Sequence, residues 1–208
     1  MGIRSAKRTD ALSTTLASGA MARVVIDLAV RPDHAPYGRE IQRRTGLTPR
    51  SLQTELARLE SLGVVRRRRE GRLVRYELIE SSPRWRALRG LIRELADPVD
   101  VVRNALADVP GIAAAFVFGS FARGDPRDDS DVDVFIIGDG VPERLRARRT
   151  IDAHILLGRE VNVVEMTRDE VARRIESGSS FIPNVFRGPK LWLVGSETDV
   201  QMAIESAQ

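Results

Sequence analysis

Cysteine is absent from the 208 residues. That excludes disulfides and every thiolate-held zinc, haem or iron–sulfur centre, and it fits a reducing compartment. Histidine is scarce: His34 lies near Pro32 and Pro36 in a loop-like stretch, and His154 lies in a helical pattern. Neither has a second histidine nearby to build a metal site, so surface or packing roles are expected. Lysine is as rare, with only Lys7 and Lys190, so nearly all positive charge is arginine. Its fork suits phosphate and guanine, although genome composition gives the same bias. No apolar run approaches the roughly 18 residues that span a membrane. The opening MGIRSAKRTDALSTT holds no apolar core followed by a small-residue cleavage site, so a cytoplasmic protein with no membrane partner is expected.

What is present is unevenly spread. The chain is long enough for one large domain or two of about 100 residues. Residues 1–96 carry 20 Lys and Arg against 10 Asp and Glu, and residues 97–208 carry 13 against 19. A basic half made to meet a polyanion, joined to an acidic half with other work, is the simplest reading of that split. No internal repeat or low-complexity tract interrupts either half.

In the basic half, Leu12, Leu16, Ala20, Val24 and Leu28 recur at near-helical spacing, which predicts a helix over 10–30 ended by Pro32. A short helix is predicted from Tyr37 to Thr45, closed by Gly46. A third starts behind Thr48 as N-cap with Pro49 at its first position. It buries Leu52, Leu56 and Leu59, offers Arg50, Ser51, Gln53, Thr54 and Arg58 to solvent, and ends at Leu62-Gly63. Two strand-like runs, Val64–Arg69 and Leu73–Ile79, flank Gly71 as a hairpin. Pro83 opens a further helix carrying Trp85, Leu88, Leu91, Ile92 and Leu95, which ends near Pro98.

The stretch TGLTPRSLQTELARLESLGVVRRRREGRLVRYEL resembles the winged helix-turn-helix domains of small bacterial and archaeal transcriptional regulators. The resemblance covers about residues 10–96. It implies that the third helix enters the major groove of double-stranded DNA, with Arg50, Gln53 and Thr54 near base edges and Ser51 and Arg58 beside them. It makes the hairpin a wing whose Arg66, Arg67, Arg68, Arg69 and Arg72 suit phosphates or the minor groove. Alternate strand residues face opposite sides, so about half of that run meets DNA. A winged helix used only for protein contact, its arginines a solubilising edge, is the alternative. Such regulators act as two-fold dimers, so a homodimer is expected.

The acidic half reads as helix 98–107, buried strand Ile112–Phe118, and a loop GSFARGDPRDDS. There follow strand Asp131–Ile137, helix Glu143–Leu157, strand Val161–Met166, a helix behind the capping box Thr167/Glu170, a helix Ser180–Arg187, and strand Leu191–Val194. The whole is expected to be a two-domain α+β and α/β chain, residues 1–96 and 97–208, the second with a mixed sheet and flanking helices. On a strand, Asp131 and Asp133 share a face. Two carboxylates so placed repel unless a cation lies between them. Oxygen ligands without cysteine or histidine favour magnesium or manganese. About ten residues earlier, Gly119 and Ser120 lie where a strand turns into a helix, and backbone N–H groups with a hydroxyl there suit triphosphate oxygens. Solvated aspartates after a surface turn are the bland alternative, which the apolar character of Val134-Phe135-Ile136-Ile137 opposes.

Gly-Ser, about ten residues, then Asp-x-Asp is similar to the signature of minimal nucleotidyltransferases of the DNA polymerase beta superfamily, over about residues 98–195. The resemblance implies a nucleoside triphosphate as substrate or ligand, held by Gly119 and Ser120 with Arg123 and Ser130 in the same loop. It implies a metal at Asp131 and Asp133, and transfer of a nucleoside monophosphate to a hydroxyl. That family's third carboxylate lies on the next strand, where this chain has Asn162. An amide ligates weakly and takes no proton. Glu165 is the nearby substitute, but three residues along a strand place it on the opposite face unless a bulge intervenes. A regulator whose second domain senses nucleotide without turnover is therefore the competing function. Lys190 is placed at a strand edge or on a phosphate, and Trp85, Trp192 and Phe181 among core or interface anchors.

Overall fold

The computed structural model describes residues 15–16, 18–177 and 181–205, the last four by backbone alone. The chain divides into two compact units, Met1–Ala105 with Ile155–Gly158, and Leu106–His154 with Arg159–Gln208.

The first unit starts with α1, Gly19–Ala29. One continuous helix over 10–30 is not what forms. Leu16 lies in a turn, and Ser18 is extended (φ −163, ψ 142) so that its hydroxyl accepts the Met21 N–H at 3.0 Å. That hydroxyl satisfies a donor the helix cannot. Leu12 lies outside the described residues. Helix α2, Gly38–Thr45, opens on a capping box in which the Tyr37 N–H donates to Glu40, and closes on left-handed Gly46. Helix α3, Pro49–Ser61, has the expected Thr48 cap and Pro49, and it buries Leu52, Leu56 and Leu59. Strands β1, Val65–Glu70, and β2, Leu73–Leu78, pair antiparallel from Val65↔Leu78 to Glu70↔Leu73. The two-residue connection turns at Gly71 (φ +60), which a glycine adopts without a Cβ clash. Helices α4, Pro83–Leu95, and α5, Pro98–Leu106, follow.

Sequence patterning does not reveal what lies under α1. Asp27 is fully buried and takes a forked contact from Arg44, at 2.6 and 2.8 Å, and another from Arg31 at 3.2 Å. Arg31 also donates to the side-chain and backbone oxygens of Asn104 at 3.1 and 2.6 Å. One carboxylate thus ties three helices together. Buried charges survive only when so paired.

In the second unit four strands lie in the order β5-β4-β3-β6: β3 Ile112–Phe118, β4 Val132–Gly138, β5 Val161–Met166 and β6 Leu191–Val194. The β4–β5 pair is parallel and the other two are antiparallel, so the sheet is mixed as expected. Strand β4 begins at Val132, which leaves Asp131 just outside it. Helices α6 Gly119–Arg123, α7 Glu143–Leu157, α8 Arg168–Glu176 and α9 Phe181–Arg187 occupy the connections. The anticipated start of α9 at Ser180 lies outside the described residues. A helix the sequence reading lacked, α10 Glu197–Glu205, follows β6.

One sheet face carries Phe116, Phe135, Ile137 and Met166, packed against Val171, Ile182, Val185 and Val200 of the last three helices. Phe116 and Phe135 stack with centroids 5.4 Å apart, and the edge of Trp192 meets Phe116 at 5.2 Å. Such pairs add about 0.5–1.5 kcal/mol to their burial. The capping box of α8 forms as expected, and the Thr167 N–H holds the Glu170 carboxyl below its ordinary range.

Asp27→Ala removes the carboxylate that two buried guanidiniums share. We expect it to cost about 3–5 kcal/mol in denaturation, and replacement of Asp27, Arg31 and Arg44 together by apolar residues to cost less.

Candidate functional site

Register brings the sequence motif to one end of the sheet. Phe118, the last residue of β3, lies opposite Asp133, and Asp133 lies beside Asn162 on parallel β5. The chain then turns at Gly119 with φ +72. A Cβ there would stand 2.5 Å from Asp133 Oδ2 and 3.5 Å from its Cγ, so glycine suits the turn, and any side chain at 119 would push the Asp133 carboxylate aside. Asn162 Nδ2 donates to Asp131 Oδ2 at 3.3 Å. Gly119, Asp131, Asp133 and Asn162 therefore converge. Among the described residues no arginine or lysine forms an ion pair with either aspartate. The Ser120 hydroxyl, beside this group, makes no hydrogen bond among the described residues.

The remaining residues named from the sequence have other partners. Arg123 is exposed and pairs with Asp125 at 3.4 Å. Ser130 is taken up by its own loop, its hydroxyl accepting the Arg127 N–H at 2.8 Å. Glu165 faces the opposite side of β5 from Asn162 and pairs with Arg146 of α7; no bulge in β5 brings it across, since the β4–β5 register is continuous. Lys190 is nearly buried, donates to the Phe186 and Gly188 carbonyls at the end of α9, and pairs with Glu197 at 3.4 Å. It closes a helix end rather than a strand edge. His34 lies 3.8 Å from Glu40, and His154 is exposed.

Sequence reasoning missed Arg159. Its guanidinium donates to the Ser130 carbonyl at 3.0 Å and lies over the Phe121 ring at 5.5 Å, bracing the loop that leads into Asp131. The signal was weak: one arginine after Gly158, in a chain full of arginine.

The donor set tests what the site can hold. Two carboxylates and an amide are hard oxygen donors, and among the described residues no group of three or more His, Asp or Glu that could hold a metal forms, here or elsewhere. A divalent cation of the magnesium type takes one or two carboxylates plus phosphate oxygens, so the residues fit it.

Residues 99–182 match the family model of the nucleotidyltransferase domain. That segment runs from α5 into α9 and contains Gly119, Ser120, Asp131, Asp133 and Asn162. Among solved structures, a toxin–antitoxin crystallised with AMP-PNP aligns at TM-score 0.36 and 19% identity, covering 50% of this chain and 77% of that one. A toxin–antitoxin MntA–HpeT mutant aligns at TM-score 0.39 and 16% identity, covering 52% and 82%. No curated protein matches the chain.

In the first unit, Arg50, Gln53, Thr54 and Arg58 are exposed on α3, and Ser51 is half-buried with its N–H on the Thr48 cap. Arg58 is drawn to buried Glu55 at 3.3 Å. The hairpin separates its arginines by parity. Arg66 and Arg68 line one side, where Arg66 meets Glu77 at 3.8 Å. Arg67 and Arg72 line the other, a concavity of about 570 Å³ shared with Tyr37, Arg39, Gln53 and Tyr76. Arg69, on the Arg67 side by alternation, reaches the Gly71 carbonyl at 3.3 Å. Arg75 binds Glu70 at 2.7 Å, and this contact holds the Glu70 carboxyl below its ordinary range.

Two glycine substitutions separate backbone cost from crowding. Gly119 and Gly124 both have positive φ, but a Cβ at Gly124 meets nothing within 4 Å. Gly124→Ala should lose about 1 kcal/mol, the cost of its backbone alone. Gly119→Ala should lose measurably more in thermal denaturation, because Asp133 must also move.

Proposed function

We propose that the second unit binds a nucleoside triphosphate with magnesium or manganese and transfers its nucleoside monophosphate to a hydroxyl acceptor, forming a bond from the acceptor oxygen to the α-phosphorus and releasing pyrophosphate. The observation that carries this reading is the approach of the Asp133 carboxylate to Gly119, with Asp131 and Asn162 beside it, inside the segment that matches the nucleotidyltransferase domain. In this reading Gly119 lets the backbone come close to the polyphosphate, and the Ser120 hydroxyl donates to one of its oxygens. Asp131 and Asp133 would hold the cation. Bound there, it neutralises phosphate oxygens and favours in-line attack at the α-phosphorus. Arg159, Ser130 and Arg127 keep the loop before Asp131 in shape. Asn162 orients Asp131 and takes no proton, so the acceptor's proton leaves to an aspartate or to water.

Asn162 is neutral, and Glu165 is engaged by Arg146 on the other face, so among the described residues no third carboxylate joins the two aspartates, which suits a unit that senses nucleotide without turnover. Incubation with α-labelled triphosphates, magnesium and candidate acceptors separates the two. Transfer by the wild type that falls at least about a hundredfold in Asp131→Asn/Asp133→Asn supports catalysis. Saturable binding without transfer supports the sensor. No binding contradicts both.

For the first unit we propose a winged helix, residues 1–96, that binds double-stranded DNA as a homodimer in the cytoplasm, with α3 in the major groove and the hairpin as wing. Support comes from the parity of the hairpin: Arg67 and Arg72 share a concavity with Gln53 of α3, so helix and wing present one cationic face. Among the described residues no helix is long and apolar enough to cross a membrane. DNA affinity should fall steeply with salt. Arg67→Ala/Arg69→Ala/Arg72→Ala should reduce the slope of log affinity against log salt by about 3. A slope near zero for the wild type contradicts the assignment.

A further inference from the structure

We infer that Asn162 limits the site to a single divalent cation, one that binds together with the polyphosphate rather than ahead of it. This rests on the triphosphate site proposed above and adds the charge rule by which that site selects its ion.

Asp131 and Asp133 contribute two negative charges, the complement of one divalent ion. Among the described residues no acid joins them: no cluster of three forms, and Glu165 is turned to the opposite face and held by Arg146. Asn162 stands in register with Asp133 and gives its amide hydrogen to Asp131 at 3.3 Å. That bond partly satisfies one carboxylate in the absence of any ion, so bare cation must displace it to use Asp131 fully. Asn162 is exposed, so burial does not demand a neutral side chain, and an aspartate is nearly the same size. An aspartate at 162 would set three carboxylates in neighbouring registers, a charge that calls for more metal. The amide at 162, which withholds a third carboxylate, therefore sets the ion count. Two carboxylates leave most of a divalent ion's coordination positions unfilled, and the polyphosphate supplies further anionic oxygens to the same ion, which couples cation binding to nucleotide.

Bound Mn²⁺ per chain is counted by equilibrium dialysis on the full chain, with and without a non-hydrolysable triphosphate analogue. The forms compared are wild type, Asn162→Asp, Asn162→Ala and Asp131→Asn/Asp133→Asn. We expect the wild type to bind Mn²⁺ weakly alone and to bind one equivalent with the analogue. Asn162→Asp should bind Mn²⁺ alone at least about tenfold more tightly and take a second equivalent with the analogue. Asn162→Ala, which removes the amide and adds no charge, should keep one equivalent. Two equivalents on the wild type, or an Asn162→Asp chain that matches the wild type, overturns the inference and leaves the triphosphate site standing. Analogue and Mn²⁺ that fail to bind any form, or that bind Asp131→Asn/Asp133→Asn as well as the wild type, overturn the triphosphate site itself.

Discussion

The second unit depends on how closely one backbone turn approaches one carboxylate. Asp133 Oδ2 occupies the space where any other residue at 119 would place its Cβ. That contact works only because three strands agree in register. Phe118 ends β3 opposite Asp133, and Asp133 runs beside Asn162. A slip of one residue would send every side chain of β4 to the wrong face. The aromatic core guards against such a slip, because Phe135, two residues along from Asp133, is fully buried between Phe116 and Phe186. Packing in the middle of the sheet thereby sets the position of charged groups at its end. The deletion of such an aromatic costs about 3–5 kcal/mol.

Arginine serves two purposes in the first unit, and burial separates them. Arg31 and Arg44 are withdrawn from water and spent on Asp27 and Asn104, where they join helices. The hairpin arginines remain exposed, divided between a side where glutamates answer them and a side where few do. Net charge alone cannot distinguish these roles. The number of arginines in residues 1–96 overstates what is free to meet a polyanion, since Arg31 and Arg44 are held inside.

Much of this was legible in the sequence because local chemistry announces itself. Thr48-Pro49, Gly46, Gly71 and Thr167 with Glu170 each mark an element boundary that the structure keeps. The alternation rule also assigns Asn162 and Glu165 to opposite faces. What stayed hidden depends on residues far apart in the chain. The Asp27–Arg44 fork spans 17 positions and has no periodic signature. Helix α1 starts at Gly19 because a single serine hydroxyl caps it, a choice the leucine spacing upstream obscures. Helix α10 offers one buried anchor, Val200, among its described side chains, too little apolar pattern to read. Arg159 could not be singled out among so many arginines.

The central claim is that the turn at Gly119 and the two aspartates form one ion-and-phosphate site, and a crystal structure of the chain with Mn²⁺ and a non-hydrolysable triphosphate analogue tests it most directly. We expect an anomalous scattering peak about 2.0–2.3 Å from oxygens of both Asp131 and Asp133, with the analogue's phosphates against Gly119 and Ser120. A bound analogue with no ion at the aspartates, or phosphates seated away from that turn, would contradict it.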